Sequence, residues 1–537
     1  MELNAKGIKD TAAWEAAGYH VPQYDIDAMV AATKANPEWI HFGAGNIFRA
    51  FQGNLQQGML EKGLAKTGII VAEGYDYEIV EKMYRPHDNL SILVTLMGDG
   101  SLEKTVIGSI AESCILDSDN EAEFGRLKEI FAAPSLQMAT FTITEKGYSL
   151  VNGKGEILPA IAADLENGPA KPESYLGKVV SLLHERYEKG ACPIALVSTD
   201  NCSHNGDKVK AAVVAFAEGW VKNGKADEGF LTYVNDPKKV SYPWSMIDKI
   251  TPRPDPKVKA ILEGDNIGDL AEAVTSKNTW VAPFVNAEEC QYLVIEDDFP
   301  NGRPALENVG VMFTEKETVD KVEKMKVCTC LNPLHTALAV TGCLLGYDLI
   351  SAEMKNDDLR KLVETIGYVE GLPVVVNPGI LDPKHFIDEV LTKRIPNPFM
   401  PDTPQRIACD TSQKLPIRYG ETIKAYERSA ELDTASIKCI PFVQAAWLRY
   451  LMGIDDAGNK FEPSPDPMLE ELMPVMANVK IGQSEGIQDI IIPILKREDI
   501  FGIDLCTTPL AEKVVAYFKQ MIEAPGAVAK VLKETVN

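Results

Sequence analysis

Apolar, β-branched runs recur through the first half of the chain: WIHFGAG, GIIVAEG, SILVTLM, MATFTIT and PIALVSTDN. Between them lie stretches such as FGRLKEIFAA and VVSLLHERYEKG, whose apolar residues return every three or four positions, the period of a helix with one buried face. Strands that alternate with helices predict a doubly wound α/β sheet, because each helix must lay its apolar stripe on a sheet face. After about Asn301 the texture changes. ETVDKVEKMK, HTALAVTGCLLGYDLI and KVVAYFKQMIEA keep the helical period while strand-like runs become few. Residues 1–300 are therefore predicted to form the sheet domain and residues 301–537 a mainly α-helical one. Proline clusters at PNPFMPDTPQ and EPSPDPMLEELMP read as loops between helices, since proline lacks a backbone donor and restricts the residue before it. No internal repeat or low-complexity tract is present in the sequence.

A chain of 537 residues exceeds one ordinary core, in keeping with two domains. Its 54 basic and 78 acidic residues give a formal charge of 54 − 78 = −24. That sign repels phosphate backbones and anionic bilayers, so neither nucleic acid nor a membrane surface is an expected partner. An anionic ligand must instead be captured by a local basic or amide-lined site. The amino terminus, MELNAKGIKDTAAWEAAGYHV, lacks an apolar signal core. The most apolar helical stretch, Thr336 to Gly346, is shorter than the roughly 20 residues a bilayer span requires. Ten cysteines without a C-x-x-C pair suit reduced thiols. A cytoplasmic protein, monomeric or a small homo-oligomer, is expected.

The first strand ends in HFGAGNIFRAFQ, where Gly43 and Gly45 permit a tight turn and let a pyrophosphate approach the amides of the next helix. Phe48 stands where the third glycine of G-x-G-x-x-G would be, so the fingerprint is truncated, and an ordinary strand-to-helix turn is the competing reading. The following strand closes on Glu73, 28 positions after Gly45, where a carboxylate can accept both ribose hydroxyls and repel a 2′-phosphate. NAD is thus favoured over NADP; a solvated loop acid is the alternative.

These blocks and others resemble the mannitol dehydrogenase family, the polyol-specific long-chain dehydrogenases that include fructuronate and tagaturonate reductases. The resemblance spans nearly the whole chain: FGAGNIFRAFQ through Gly43, Gly45, Phe48, Arg49, Ala50 and Gln52, then TITEKGY, STDNCSHNG, MIDKITPR, VIEDDFPNGRP, EKMKVCTCLNPLHTALA, RIACDTSQKLPIR and AAWLRYLMGIDDAGN, in the shared order. It implies a Rossmann-type amino-terminal domain, a helical carboxy-terminal domain, a cleft between them, and NAD-linked hydride transfer without a metal. Carried over by motif, the base is Lys326, the oxyanion-stabilising amides are Asn201 and Asn332, and the orienting imidazole is His335. Asp248, Arg406 and Lys414 line the substrate site, and Gly43, Gly45, Asn46, Ile47, Phe48, Arg49 and Glu73 serve the cofactor. The implied substrate is an open-chain sugar acid or polyol: a keto-hexuronate such as fructuronate, with tagaturonate or mannitol-type polyol chemistry as alternatives.

The chemistry is coherent. Oxidising a secondary alcohol needs a base for the hydroxyl proton, and in the reverse direction the same lysine protonates the growing alkoxide, to which two amides donate. Asn332 and His335, three apart, share one helix face. The family places four residues between its lysine and asparagine, whereas here Val327 to Leu331 make five. On an ideal helix the extra residue turns Lys326 by about 100°. A π-bulge or a non-helical start between Lys326 and Asn332 is therefore predicted, with Lys324 as the fallback base. Glu323 matches a family position and reads equally well as part of a proton path or as a helix-surface acid. Arg406 and Lys414 suit a uronate carboxylate, although an ion pair of Arg406 with Asp410 explains it comparably well. Two rival readings remain: zinc held by Cys328, Cys330 and His335, which helical geometry opposes because residues two apart point about 200° away from each other, and a dinucleotide-binding sensor without turnover.

Overall fold

The computed structural model describes residues 1–483 and 485–537. The chain divides into two compact units, one comprising Met1–Met97 with Ser101–Asp320 and the other Gly98–Gly100 with Lys321–Asn537. The division falls at Asp320/Lys321 and not at 300/301. Residues Met312–Thr314 form a strand hydrogen-bonded in parallel to Tyr292–Glu296, which carries the first unit past the point where strand-like runs thin out.

The first unit is built on six parallel strands: β1 (Trp39–Phe42), β2 (Ile69–Glu73), β3 (Ile110–Ile115), β4 (Met138–Phe141), β5 (Ile194–Ser198) and β6 (Val240–Ser241). Their spatial order is β3-β2-β1-β4-β5-β6. The order reverses between β1 and β4, and in open α/β sheets ligands bind beyond the carboxyl ends of the strands at that reversal. Period-two alternation explains the burial on both faces. Ile40 and Phe42 enter a core with Phe124, Leu127, Leu183 and Phe216, while Trp39 enters a second with Phe48, Leu55, Ile247 and Val285. Two helices matter for the site: α1 (Gly53–Glu61), continuing the turn after β1, and α2 (Asn205–Lys222), after β5.

One run predicted for this sheet lies elsewhere. Ser91–Leu96 pairs antiparallel with Leu102–Ile107 and parallel with Phe284–Glu288, in a separate four-stranded sheet. The connection from Met97 to Ser101 is long enough for a hairpin, whereas a parallel crossover needs about a dozen residues or more. The edge position is taken by β3, whose Glu112 and Ser113 interrupt the apolar run that would have announced it. A third sheet joins β7 (Ser245–Asp248), β8 (Tyr292–Glu296) and β9 (Met312–Thr314), and sets Asp248 at the carboxyl end of β7.

Among the described residues the second unit is helical apart from one isolated bridge, Ile454 to Lys460. Helix α3 (Lys316–Met325) runs through a wide turn, Lys326–Cys330, into α4 (Asn332–Leu345). The whole helical stretch, Lys316–Leu345, is 30 residues long and apolar enough by composition to cross a bilayer, which corrects the shorter span read from Thr336 to Gly346. Its apolar window is 78% buried inside the protein, as befits a core helix. Helix α5 (Cys439–Tyr450) packs on α4, and its first N–H groups are capped by a buried carboxylate: Glu370 accepts from Lys438, Cys439 and Ile440 at 2.8, 2.7 and 2.9 Å.

Candidate active site

The turn after β1 has the form a dinucleotide needs. Gly43 adopts φ +108°, and a Cβ there would stand 2.3 Å from the carbonyl oxygen of Thr142, so only glycine makes this turn. At Gly45 a Cβ would meet nothing within 4 Å, which leaves open space over the turn and over the first N–H groups of the helix that begins at Asn46. Such space beside a helix's first N–H groups, which have no acceptor within the helix, fits a pyrophosphate.

Other residues assigned to the cofactor have different tasks in the structure. Phe48 is fully buried and stacks on His41 with ring centroids 4.4 Å apart; at the position of the usual third glycine the helix opens into a π-turn, Phe48–Gln52. Arg49 is buried too, donating to the carbonyl of Ala282 at 2.7 Å and to Asn46 Oδ1 at 2.9 Å, so its guanidinium braces the turn from within. Glu73 is 5% exposed. Its Oε2 accepts the N–H of Ala44 at 2.8 Å, and its Oε1 accepts those of Tyr75 and Asp76 at 2.8 and 3.0 Å. The carboxylate expected to clamp the ribose hydroxyls thus also staples the glycine turn to the loop after β2. Gly43, Gly45 and the backbone of Asn46 and Ile47 remain at the open end. His41 lies beneath them, its nitrogens 2.6 and 2.8 Å from Thr140 and Thr142 Oγ1, and burial lowers it to about 3, so it is neutral.

Asn201 follows β5 in an exposed loop, and Asp248 is buried at the end of β7. In the second unit the predicted π-turn is present: the Leu331 N–H donates to the Lys326 carbonyl at 3.1 Å, five residues back, within Lys326–Cys330. A wide turn absorbs one residue relative to an α-helix. Lys326 is 4% exposed, whereas Lys324 lies on the exposed face of α3. Asn332 and His335 are partly accessible at the start of α4, while Pro333, Leu334 and Thr336 between and beside them are buried, as i and i+3 on one face require.

His335 is pushed down to about 3 by burial and then by four cations, Arg418, Arg394, Arg406 and Lys414. It is a neutral imidazole, with Asp402 Oδ2 3.6 Å from its Nε2. Asp402 also pairs with Arg406. The partner of Arg406 is therefore Asp402, not Asp410; the backbone of Asp410 turns left-handed at φ +52° to start the next helix. Lys414 donates to the carbonyls of Ile407, at 2.9 Å, and Cys409, and burial followed by repulsion from Arg418 lowers it. Arg418 donates to Thr336 and is lowered to about 10 by burial. Asp402, Arg394 and Arg418 were missed from sequence; the spacing of four from Asp402 to Arg406 and from Lys414 to Arg418 was the available signal. Cys330 is buried with its thiol 3.8 Å from the Pro383 carbonyl, and among the described residues no three His, Cys, Asp or Glu side chains converge as a metal site.

Two family models match the chain, the mannitol dehydrogenase Rossmann domain over residues 37–308 and the mannitol dehydrogenase C-terminal domain over residues 318–522. The chain is 51% identical to D-mannonate oxidoreductase of Thermotoga maritima, across all of its own length and 99% of the relative's. It is 30% identical to mannitol 2-dehydrogenase of Emericella nidulans over 91% of each chain. A solved structure of Pseudomonas fluorescens mannitol 2-dehydrogenase, a ternary complex with NAD and D-mannitol, matches with a TM-score of 0.68 at 26% identity over 99% of both chains.

Proposed function

The chain belongs to the mannitol dehydrogenase family of NAD-linked oxidoreductases, and from that premise we propose that it interconverts a keto-hexuronate and its aldonate, fructuronate and mannonate first among them. One observation carries the choice of a sugar acid over a neutral sugar: in a protein of formal charge −24, Arg418 is bonded to Thr336 beside His335, Arg406 shares Asp402 with His335, and both, with Arg394 and Lys414, help hold that imidazole neutral. A carboxylate offsets such a concentration of positive charge and can be gripped by a guanidinium fork; a hexitol offers no charge to do so. The relative at 51% identity is named for mannonate, in line with this reading.

In the oxidising direction Lys326 accepts the proton of the substrate hydroxyl, and in the reducing direction its ammonium returns it. Asn201 and Asn332 donate side-chain N–H bonds to the developing alkoxide, each contributing about 2.7–4 kcal/mol. His335, neutral across the working range, orients the reacting oxygen by a hydrogen bond and adds no charge. Asp248, Arg406 and Lys414 bind the remainder of the sugar. Gly43, Gly45 and the amides opening the next helix hold the pyrophosphate of NAD. The nicotinamide, when bound, supplies or accepts the hydride. With Lys326 moving the proton and amides stabilising the alkoxide, this reading assigns no step to a metal, and turnover is expected to survive chelation. A cytoplasmic enzyme, monomeric or a small homo-oligomer, completes the reading.

A neutral polyol is the second reading, favoured by Arg406 being matched already to Asp402 and by Lys414 spending two donors on carbonyls. NADH oxidation in the presence of EDTA separates the two across fructuronate, tagaturonate, fructose and xylulose. Uronate turnover that survives chelation supports the proposal. Preference for fructose over both uronates moves the enzyme to the polyol branch, and silence on all four indicates a dinucleotide-binding sensor.

A further inference from the structure

The residue before Asn201 is held unusually firmly. Asp200 accepts three hydrogen bonds from one segment: on Oδ2 from the N–H of Ile143 at 2.9 Å and the hydroxyl of Tyr148 at 2.6 Å, and on Oδ1 from the N–H of Thr144 at 2.9 Å. The Tyr148 hydroxyl also lies 2.8 Å from Ser198 Oγ, and the ring is buried. Thr144 is held at φ +65°, a left-handed conformation that costs a β-branched residue energy and persists only where its surroundings impose it. The same segment begins at Thr142, whose carbonyl sits against Gly43 of the cofactor turn.

Behind Asp200 the contacts continue. The fully buried amide of Asn205 donates to the carbonyls of Ser198, Asp200 and Ser245 at 3.2, 3.1 and 3.0 Å, and its Oδ1 accepts the Ser245 N–H at 2.9 Å. Gln52, in the turn leading to α1, donates to Thr199 Oγ1 at 3.0 Å, which donates to the Phe141 carbonyl at 2.9 Å. A hydrogen-bonded network thus runs from the cofactor helix, through the end of β5, to the loop after β4; it is buried at Gln52, Thr199 and Asn205, half-buried at Asp200 and exposed at Thr144. Buried polar networks of this kind are costly when incomplete and fix one arrangement when complete. The fold alone does not require this one: β4 and β5 are already joined by their ladder.

We propose that Tyr148 and Asp200 are positioning residues that hold the loop bearing Asn201 in register with the glycine turn, so that the amide of Asn201 stands at a set distance from the nicotinamide end of the cofactor. This rests on the reading of Asn201 as an oxyanion donor. The pair acts through Asn201 and leaves the dinucleotide cradle untouched, so its loss falls on kcat and not on the binding of NADH.

The test is a double-mutant cycle with Tyr148→Phe, Asn201→Ala and both together, measuring kcat on the turned-over sugar, NADH affinity by fluorescence and the thermal midpoint. Tyr148→Phe is expected to lower kcat between about ten- and a hundredfold, the cost of a small misplacement of a catalytic group, with NADH affinity unchanged. In the Asn201→Ala background it is expected to cost nothing further. Asp200→Asn, if it folds, repeats the pattern, and Tyr148→Phe alone keeps the test decisive if it does not. If Asn201→Ala is damaging while Tyr148→Phe is silent, or slows both backgrounds by the same factor, the positioning role is overturned and the Asn201 reading stands. A parental kcat for Asn201→Ala overturns both.

Discussion

At the residue scale burial distinguishes the two candidate lysines. Lys326 and Lys324 are two apart, and both precede the Asn332–His335 pair, yet only Lys326 is buried. Lys326→Ala should cost about 10²- to 10⁴-fold in kcat, the range of general acid–base catalysis, and Lys324→Ala should stay near the parent; NADH oxidation measures both. Gly43→Ala is expected to abolish NADH binding, read by fluorescence, because its Cβ would collide with the Thr142 carbonyl. These residues were legible because spacing and motif identify them. The partner of Arg406 was not, since Asp402 and Asp410 stand four residues to either side and periodicity treats them alike. The backbone breaks the symmetry when Asp410 turns left-handed. Glu73 was legible as an acid at a strand end, while its three N–H partners depend on where two loops meet.

At the element scale the wide turn Lys326–Cys330 is a device for register. It takes up one residue between Lys326 and Asn332, as the resemblance to the family led the sequence analysis to expect. Deleting Cys328, which is partly exposed, should close the turn to an α-helix and keep kcat within about tenfold of the parent, whereas an alanine inserted at the same point should turn Lys326 by about 100° and remove activity without unfolding the protein. Steady-state kinetics and circular dichroism on the two variants check this; an active insertion would show that register here is unimportant. Ser91–Leu96 teaches the reverse lesson. Its apolar run is as strand-like as any in the parallel sheet, but the short connection to Leu102 commits it to a hairpin, so chain length between elements outweighed composition within them.

At the scale of the whole molecule, buried titratable groups set opposing slopes of stability with pH. His41 and His335 are lowered to about 3, so between there and the ordinary imidazole range the unfolded chain binds protons that the folded one does not, and stability is lost as pH falls. Glu353 is fully buried beside Gly342, neither carboxyl oxygen has a protein partner among the described residues, and burial raises it to about 9. The folded chain keeps a proton there that the unfolded chain releases above the ordinary carboxylate range, so stability is lost as pH rises toward 9. Glu353→Gln should therefore raise the thermal midpoint by several degrees at about pH 8 and change it little at about pH 4, read from melts across the range; equal shifts at both pH values would mean that packing, not ionisation, governs the site. The sequence by itself determined the class of fold, the order of its two parts and the glycine turn, because these follow from periodicity and from local spacing, while the lysine–asparagine–histidine set was legible only through the resemblance of its motif to the family. The tertiary structure alone decided which strands pair, which acid answers Arg406, that four cations help hold His335 neutral, and that Asp200 is bound by Tyr148. Each of those joins residues from different elements, and contacts across elements are set by packing in space, which no local period encodes.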